Sequence, residues 1–195
     1  MARSRAKNKN NMLYRDTRSG FTIIEVVLVL AIAGLIFLMV FIALPQLQRA
    51  QRDTQRRQDI ASKLQSAIQS YQGNNNGRLP SGKCVVPDSE DPKIDEIPKD
   101  ASGSSACRLI REYMHGVNDT INTFVDPGGT PYSVVFEKFD GSNAPTFADG
   151  MDYTMHVMTG ANCNGEEVIK SNNSRDFAVV YRLEGNGTYC HGSSS

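Results

Sequence analysis

The sequence predicts an α+β fold in which one long N-terminal helix packs against a small C-terminal antiparallel sheet. Three observations carry this. An unbroken apolar run extends from Phe21 to Leu44, a helical spacing of apolar residues continues beyond Pro45 to about Gln72, and several Val-, Tyr- and Phe-rich segments separated by Gly, Asn, Pro and Asp follow Thr130. The 195 residues accordingly divide into a basic segment (1–20), an apolar half-helix (21–44), an amphipathic half-helix (45–73) and a globular head (74–195).

The net charge is zero, but the charges are sorted along the chain. Arg3, Arg5, Lys7, Lys9, Arg15 and Arg18 face only Asp16 in the first twenty residues, so the rest is mildly acidic. A basic head on an acidic body argues against a general nucleic-acid binder, which needs a basic face on its folded part. It suits a single-pass membrane protein whose N-terminus stays in the cytoplasm.

Of the 24 residues from Phe21 to Leu44 only Glu25 is charged. A helix of that length spans about 36 Å, enough to cross a hydrocarbon core of about 30 Å. The run exceeds the 7–15 apolar residues of a secretory signal peptide, and the IALPQLQRAQRD that follows is a poor cleavage site. A plain anchor explains the length and the basic flank but not Glu25: a carboxylate near the bilayer centre costs about 2.5–3.5 kcal/mol, and the competing reading is an interfacial Glu near the cytoplasmic edge of the run, where snorkelling relieves part of that cost. Cleavage after Gly20 would create a cationic partner one helical turn away, because the freed α-amine of Phe21 would be mostly protonated at neutral pH.

The stretch GFTIIEVVLVLAIAGLI, a basic leader ending in Gly20 and then Phe21, an apolar helix and Glu25, resembles the class III signal of type IV prepilins and the related pseudopilins. The resemblance implies that a prepilin peptidase, a membrane aspartyl protease, cuts the Gly20–Phe21 bond and N-methylates Phe21. It implies that Glu25 neutralises the Phe21 amine of a neighbouring subunit as the chain leaves the bilayer for a filament. The implied partners are other pilin subunits, the peptidase, the pilus assembly platform and, before assembly, the lipid bilayer. The chain would be the substrate of that chemistry and not an enzyme. Where many bacterial pilins carry helix-breaking prolines this chain has Ile42 and Ser62, so the flexible stretch that begins at Gly34 would end at Pro45.

Beyond Pro45, Leu47, Ala50, Thr54, Arg57, Ala61, Leu64, Ile68 and Tyr71 follow an alternating 3-4 spacing and predict one buried stripe, with Ile60 and Ala67 beside it. A single proline and Gly34 are expected to bend or loosen one helix rather than split it. Arg49, Arg52, Arg56, Arg57 and Lys63 face only Asp53 and Asp59. Nucleic acid is possible but not indicated, because the interleaved glutamines give bases nothing to stack on. A solvated face, or electrostatic contact with headgroups or acidic neighbouring subunits, is the preferred reading.

Gly73-Asn74-Asn75-Asn76-Gly77 ends the helix. Residues 81–103 read as a surface loop and Ala106–His115 as a short helix. Strands are expected at Tyr132–Phe139, Tyr153–Met158, Asp176–Leu183 and Thr188–Cys190, the last reached through a turn at Glu184-Gly185-Asn186-Gly187. Phe124-Val125-Asp126-Pro127 through Tyr132 is similar to the Asp-Pro…Tyr entry into the sheet of pseudopilin-like proteins.

Cys84, Cys107, Cys163 and Cys190 form no C-x-x-C pair, and no metal or cofactor is expected. All four lie beyond the apolar run, where an oxidising compartment allows disulfides. Of three connectivities, Cys84 with Cys107 and Cys163 with Cys190 is favoured; each closes a loop of roughly 20–30 residues, worth about 3–4 kcal/mol. His115, His156 and His191 stand outside any catalytic arrangement. A calcium site on Asp140, Asp149 and Asp152 competes with a simple polar loop, which is preferred because the spacing is not that of an EF-hand. The functional expectation is a structural subunit of a type IV pilus or pilus-like filament on the cell surface. The alternatives are a pseudopilin of a type II secretion system or a membrane-tethered protein of another class.

Overall fold

The computed structural model describes residues 20–87, 94–98, 104–114, 124–147, 153–185 and 187–193. The chain divides at Leu44 and Pro45 into two compact units. The first unit is apolar helix. Helix α1 (Ile23–Gln58) begins in it, and none of the described residues up to Leu44 is buried. Phe21, Ile23 and Met39 expose three quarters or more of their surface.

In the second unit α1 passes into a π-helical stretch, Asp59–Leu64, and then α2 (Gln65–Asn74). Helix α2 ends as the sequence predicts, with Asn76 and Gly77 in the left-handed region at φ 55° and 76°. Helix α3 (Ala106–Tyr113) follows, shorter than expected at its C-terminal end, and His115 lies outside the described residues. About half of the expected loop over 81–103 is also outside them, but its first residues form a short strand, β1 (Gly82–Cys84). Gly82 is required there: at φ 81° a Cβ would lie 2.6 Å from Ser104 Oγ.

The main sheet has the order β1-β2-β3-β6-β7, with β2 Ser133–Lys138, β3 Thr154–Thr159, β6 Phe177–Arg182 and β7 Thr188–Gly192. It is mixed rather than wholly antiparallel. Strands β2 and β3 run parallel, Ser133 opposite Thr154 through Lys138 opposite Thr159, whereas β1-β2, β3-β6 and β6-β7 are antiparallel. Parallel neighbours need a crossover of a dozen or more residues, and the segment from Phe139 to Tyr153 is long enough to supply it. A second sheet, the hairpin of β4 (Ala161–Asn164) and β5 (Glu167–Lys170), was not expected; Gly165 at φ 65° opens its two-residue turn.

One face of the main sheet (Val134, Phe136, Met155, Val157, Phe177, Val179, Tyr181) packs on Ile60, Leu64, Ile68 and Tyr71 of the long helix and on Leu109 and Ile110 of α3. The other face gathers Met158, Ala178, Val180 and Cys190 with Phe139 and Ala161, next to half-buried Val168 of the hairpin. Strand β6 is covered on both faces and therefore reads Phe-Ala-Val-Val-Tyr without alternation.

The buried stripe of the helix departs from expectation. Leu64, Ile68 and Tyr71 are buried as expected, with Ile60 and Ala67 beside them, but Ala61 is only half-buried, Leu47, Ala50, Thr54 and Arg57 are exposed, and before Ile60 the buried line runs through Arg56 and Asp59 instead. The i→i+5 turn explains the shift, because a wider turn makes a stride of four, not three, return to the same face. This carries Arg56, expected on a solvated surface, into the interior at 0% exposure.

Arg56 is held by three carboxylates. Its Nε donates to Asp126 Oδ1 at 2.5 Å, its Nη2 to Asp126 Oδ2 at 3.1 Å and Glu184 Oε1 at 2.8 Å, and its Nη1 to Asp53 Oδ1 at 2.8 Å. Arg52 adds a two-pronged contact to Glu184 at 2.6 and 2.7 Å. Asp126 also accepts the Gly128 N–H at 2.9 Å, so the Asp-Pro-Gly-Gly turn is built around the same carboxylate. Burial pulls the Arg56 guanidinium towards losing its proton, but hydrogen bonds to Asp126 and Glu184 outweigh it and hold the pKa above the usual value. Hydrogen bonds from Arg52 lead those that hold Glu184 down at about 2, against the effect of burial. Burial raises the pKa of Tyr132, whose hydroxyl lies 3.4 Å from Asp59 and 3.5 Å from Asp126.

Removing one partner from a buried ion pair typically costs about 3–5 kcal/mol, because the remaining charges stay desolvated. Arg56→Ala in the full chain in detergent should therefore lose about that much stability, read from the near-UV tyrosine signal in a denaturant titration. Arg57→Ala, one residue along on the exposed face, should lose under about 1 kcal/mol.

Acid should unfold the head in two stages. Burial lowers the pKa of His191, so its share of stability is lost as pH falls below the unfolded value of about 6.5. Glu184 is depressed from an unfolded value of about 4.3, so its share is present above that pH and lost as pH falls towards 2. The denaturation midpoint should fall gently below about pH 6.5 and steeply below about pH 4.5, and Glu184→Gln should flatten the second fall while lowering stability at neutral pH.

Candidate functional site

The residues singled out for processing and assembly lie at the start of α1. Gly20 and Phe21 precede the helix; a Cβ at Gly20 would meet nothing within 4 Å, and Phe21 is 83% exposed. Thr22 closes the first turn by accepting the N–H groups of Glu25 at 3.1 Å and Val26 at 3.4 Å. Glu25 stands in that first turn and shares one face with Phe21, Val26, Val29 and Leu30. The structure thus brings Phe21 and Glu25 together on an apolar face. The Gly20–Phe21 bond and the carboxylate are open to another molecule within the first unit taken by itself.

Thr22-Ile23-Ile24-Glu25 also has the T-x-x-E form of a helix N-terminus, a signal that the apolar run around it overshadows. A carboxylate there interacts favourably with the helix dipole, worth about 0.3–1 kcal/mol. That is smaller than the cost of a charge at the bilayer centre, about 2.5–3.5 kcal/mol, part of which snorkelling relieves for a residue in the first turn.

Gly34 lies within α1 with nothing within 4 Å of the place a Cβ would take, and Pro45 lies inside the same helix. Each weakens the helix locally: glycine by about 1 kcal/mol relative to alanine, proline by the loss of one backbone donor and a clash with the carbonyl four residues back.

The basic cluster is not one cationic face. Arg52 and Arg56 are tied into the buried network, Lys63 pairs with Asp59 at 2.6 Å, and Arg57 lies 5.0 Å above the Tyr189 ring. The expectation of a solvated strip fails for Arg52 and Arg56 because their partners are remote in sequence. Asp126 lies 70 residues from Arg56 and Glu184 lies 132 from Arg52, beyond the reach of helical periodicity. Asp140 folds onto its own loop, accepting from Ser142 and Asn143 N–H groups, and the first of these leads the lowering of its pKa. Asp149 and Asp152 lie outside the described residues. Among the described residues no group of three or more His, Cys, Asp or Glu is placed to hold a metal ion.

The structure joins Cys84 to Cys107 and Cys163 to Cys190. The first ties β1 to α3, and the second ties the β4-β5 hairpin to β7. His156 packs edge-on against Phe147 at 5.2 Å, and His191 Nε2 lies 2.7 Å from Gln65 Oε1, which binds β7 to the helix.

Residues 15–41 match the family model described as the prokaryotic N-terminal methylation motif. The chain therefore carries the class III signal peptide of type IV pilins and pseudopilins. Neither the curated proteins nor the solved structures give a match to the chain. The motif, together with an apolar helix of sufficient length to cross a bilayer, fits membrane anchoring before assembly.

The Cys163–Cys190 bridge is the covalent link that holds the hairpin on the sheet. Replacing both cysteines by serine should cost about 2–5 kcal/mol. Limited proteolysis should then cut first near the Gly165-Glu166 turn, whereas the oxidised wild type should resist at the same protease concentration.

Proposed function

We propose that this chain is a structural subunit of a type IV pilus or pilus-like filament. A prepilin peptidase removes residues 1–20 by cutting between Gly20 and Phe21 and methylates the new amine of Phe21. The processed subunit waits in the membrane as a single-pass protein with its head outside the cytoplasm. An assembly platform then moves it into a helical filament on the cell surface. The observation that carries this reading is the methylation motif over residues 15–41, which opens an apolar segment that its own unit leaves uncovered. Eighteen large hydrophobic side chains stand exposed between Phe21 and Leu44, and they require lipid or other helices of the same kind as solvent. Gly34 and Pro45 are the positions at which the helix yields during the transfer. Two disulfides in the head suit an oxidising compartment outside the cytoplasm.

Glu25 is the residue on which assembly turns. It offsets the Phe21 ammonium of a neighbour in the filament core, where an unpaired charge costs about 3–5 kcal/mol. Glu25→Ala makes the segment easier to place in lipid, so insertion and cleavage should proceed. Immunoblots of membrane and sheared-surface fractions should show processed monomer in the membrane and at least about tenfold less protein in filaments. A wild-type filament yield from Glu25→Ala would contradict the proposal.

A further inference from the structure

Past the helix, the described part of the head exposes two large hydrophobic residues, Val85 at 52% and Ile169 at 43%. Each stands two residues from an exposed charge in extended backbone, and the two charges are opposite. Lys83 and Val85 point outwards from a segment whose Cys84 and Val86 are buried. Glu167 and Ile169 point outwards from β5, where the intervening Val168 packs inwards on the second core. Among the described residues neither Lys83 nor Glu167 has an ion-pair partner.

We infer that these two dyads are the halves of a contact between copies of this chain, the Lys83–Val85 dyad of one copy docking on the Glu167–Ile169 dyad of the next. The partner is a second copy because the surfaces match in both respects that recognition needs. Lys83 meets Glu167 and Val85 meets Ile169, and in both dyads the two side chains stand about 6.7 Å apart along the strand. Within one chain the halves cannot meet. Strand β1 is one edge of the main sheet, whereas the hairpin packs beside β6 and β7 on the second core, on the far side of β2 and β3 from β1. A contact between two different patches is head-to-tail, and unless its rotation closes into a ring it generates an open helical array. The proposed filament thereby gains a lateral contact in the head, which rests on that filament reading only for its purpose.

The test uses the full chain in cells. A zero-length carbodiimide reagent joins a lysine amine to a carboxylate only where the two touch. It should give peptides linking Lys83 to Glu167, and on a denaturing gel a ladder extending beyond dimers. Lys83→Arg should abolish the linked peptide and leave filament yield unchanged, since arginine keeps the charge but forms no such amide. Lys83→Glu should lower the sheared-filament yield about tenfold, and Lys83→Glu with Glu167→Lys should restore at least about half of it. A ladder without filaments would support the contact and sink the filament proposal. Filaments that depend on Glu25 but give no Lys83–Glu167 peptide would overturn the contact and leave the filament proposal standing. A dimer with no higher bands would also overturn it, because a closed pair cannot propagate.

Discussion

An apolar helix that finds no cover in its own unit sets the terms for the whole protein. From Phe21 to Leu44 one residue in 24 is charged, and not one of these side chains is buried. At about 25 cal/mol for each Å² of apolar surface removed from water, such a segment cannot remain in water alone. In the proposed filament subunit, lipid would satisfy it before assembly and equivalent helices afterwards. On the proposed reading the motif at its start decides which, because a carboxylate that lipid disfavours and a neighbour's ammonium favours would bias the segment towards other copies of itself.

The remaining part of the helix has to carry a folded head, and it does so with charge as well as with apolar packing. Ile60, Leu64, Ile68 and Tyr71 supply the hydrophobic contact with the sheet. One turn earlier in the helix, Arg56 gathers Asp126 from the turn before β2 and Glu184 from the turn after β6. Both turns are thereby fixed against the same helical residue, and Arg52 closes the network on its exposed side. A buried cluster of this kind contributes less net stability than its short distances suggest, because every charge in it was taken from water. Its consequence here is register. The π turn at Asp59–Leu64 sets the phase that points Arg56 inwards, where it meets all three carboxylates.

Local signals are legible in the sequence and long-range ones are not. The apolar run, the glycine before Phe21, the end of α2 at Asn76 and Gly77 and the segments of β2, β3, β6 and β7 follow from composition and spacing. Strand direction does not, because alternation is the same in parallel and antiparallel pairs. The 15 residues between β2 and β3, too many for a hairpin, are the available clue. The hairpin of β4 and β5 has strands of only four residues, too short for its Asn164-Gly165 signal to stand out by alternation. The burial of Arg56 is hidden because nothing in a helical wheel shows carboxylates arriving from residues 126 and 184. Within the candidate site the methylation motif is legible, since it lies within one continuous stretch of residues. The complementary dyads at Lys83 and Glu167 need the sheet topology to place them on an edge strand and on the hairpin.

Processing at one bond, with modification of the residue that follows it, is the central claim. Intact-mass measurement of the protein recovered from the membrane and from sheared filaments tests this most directly. The expected result is a chain that begins at Phe21, heavier by one methyl group on its α-amine, with both disulfides formed. A mature chain that still begins at Met1, or one cut near Ala43, would contradict it.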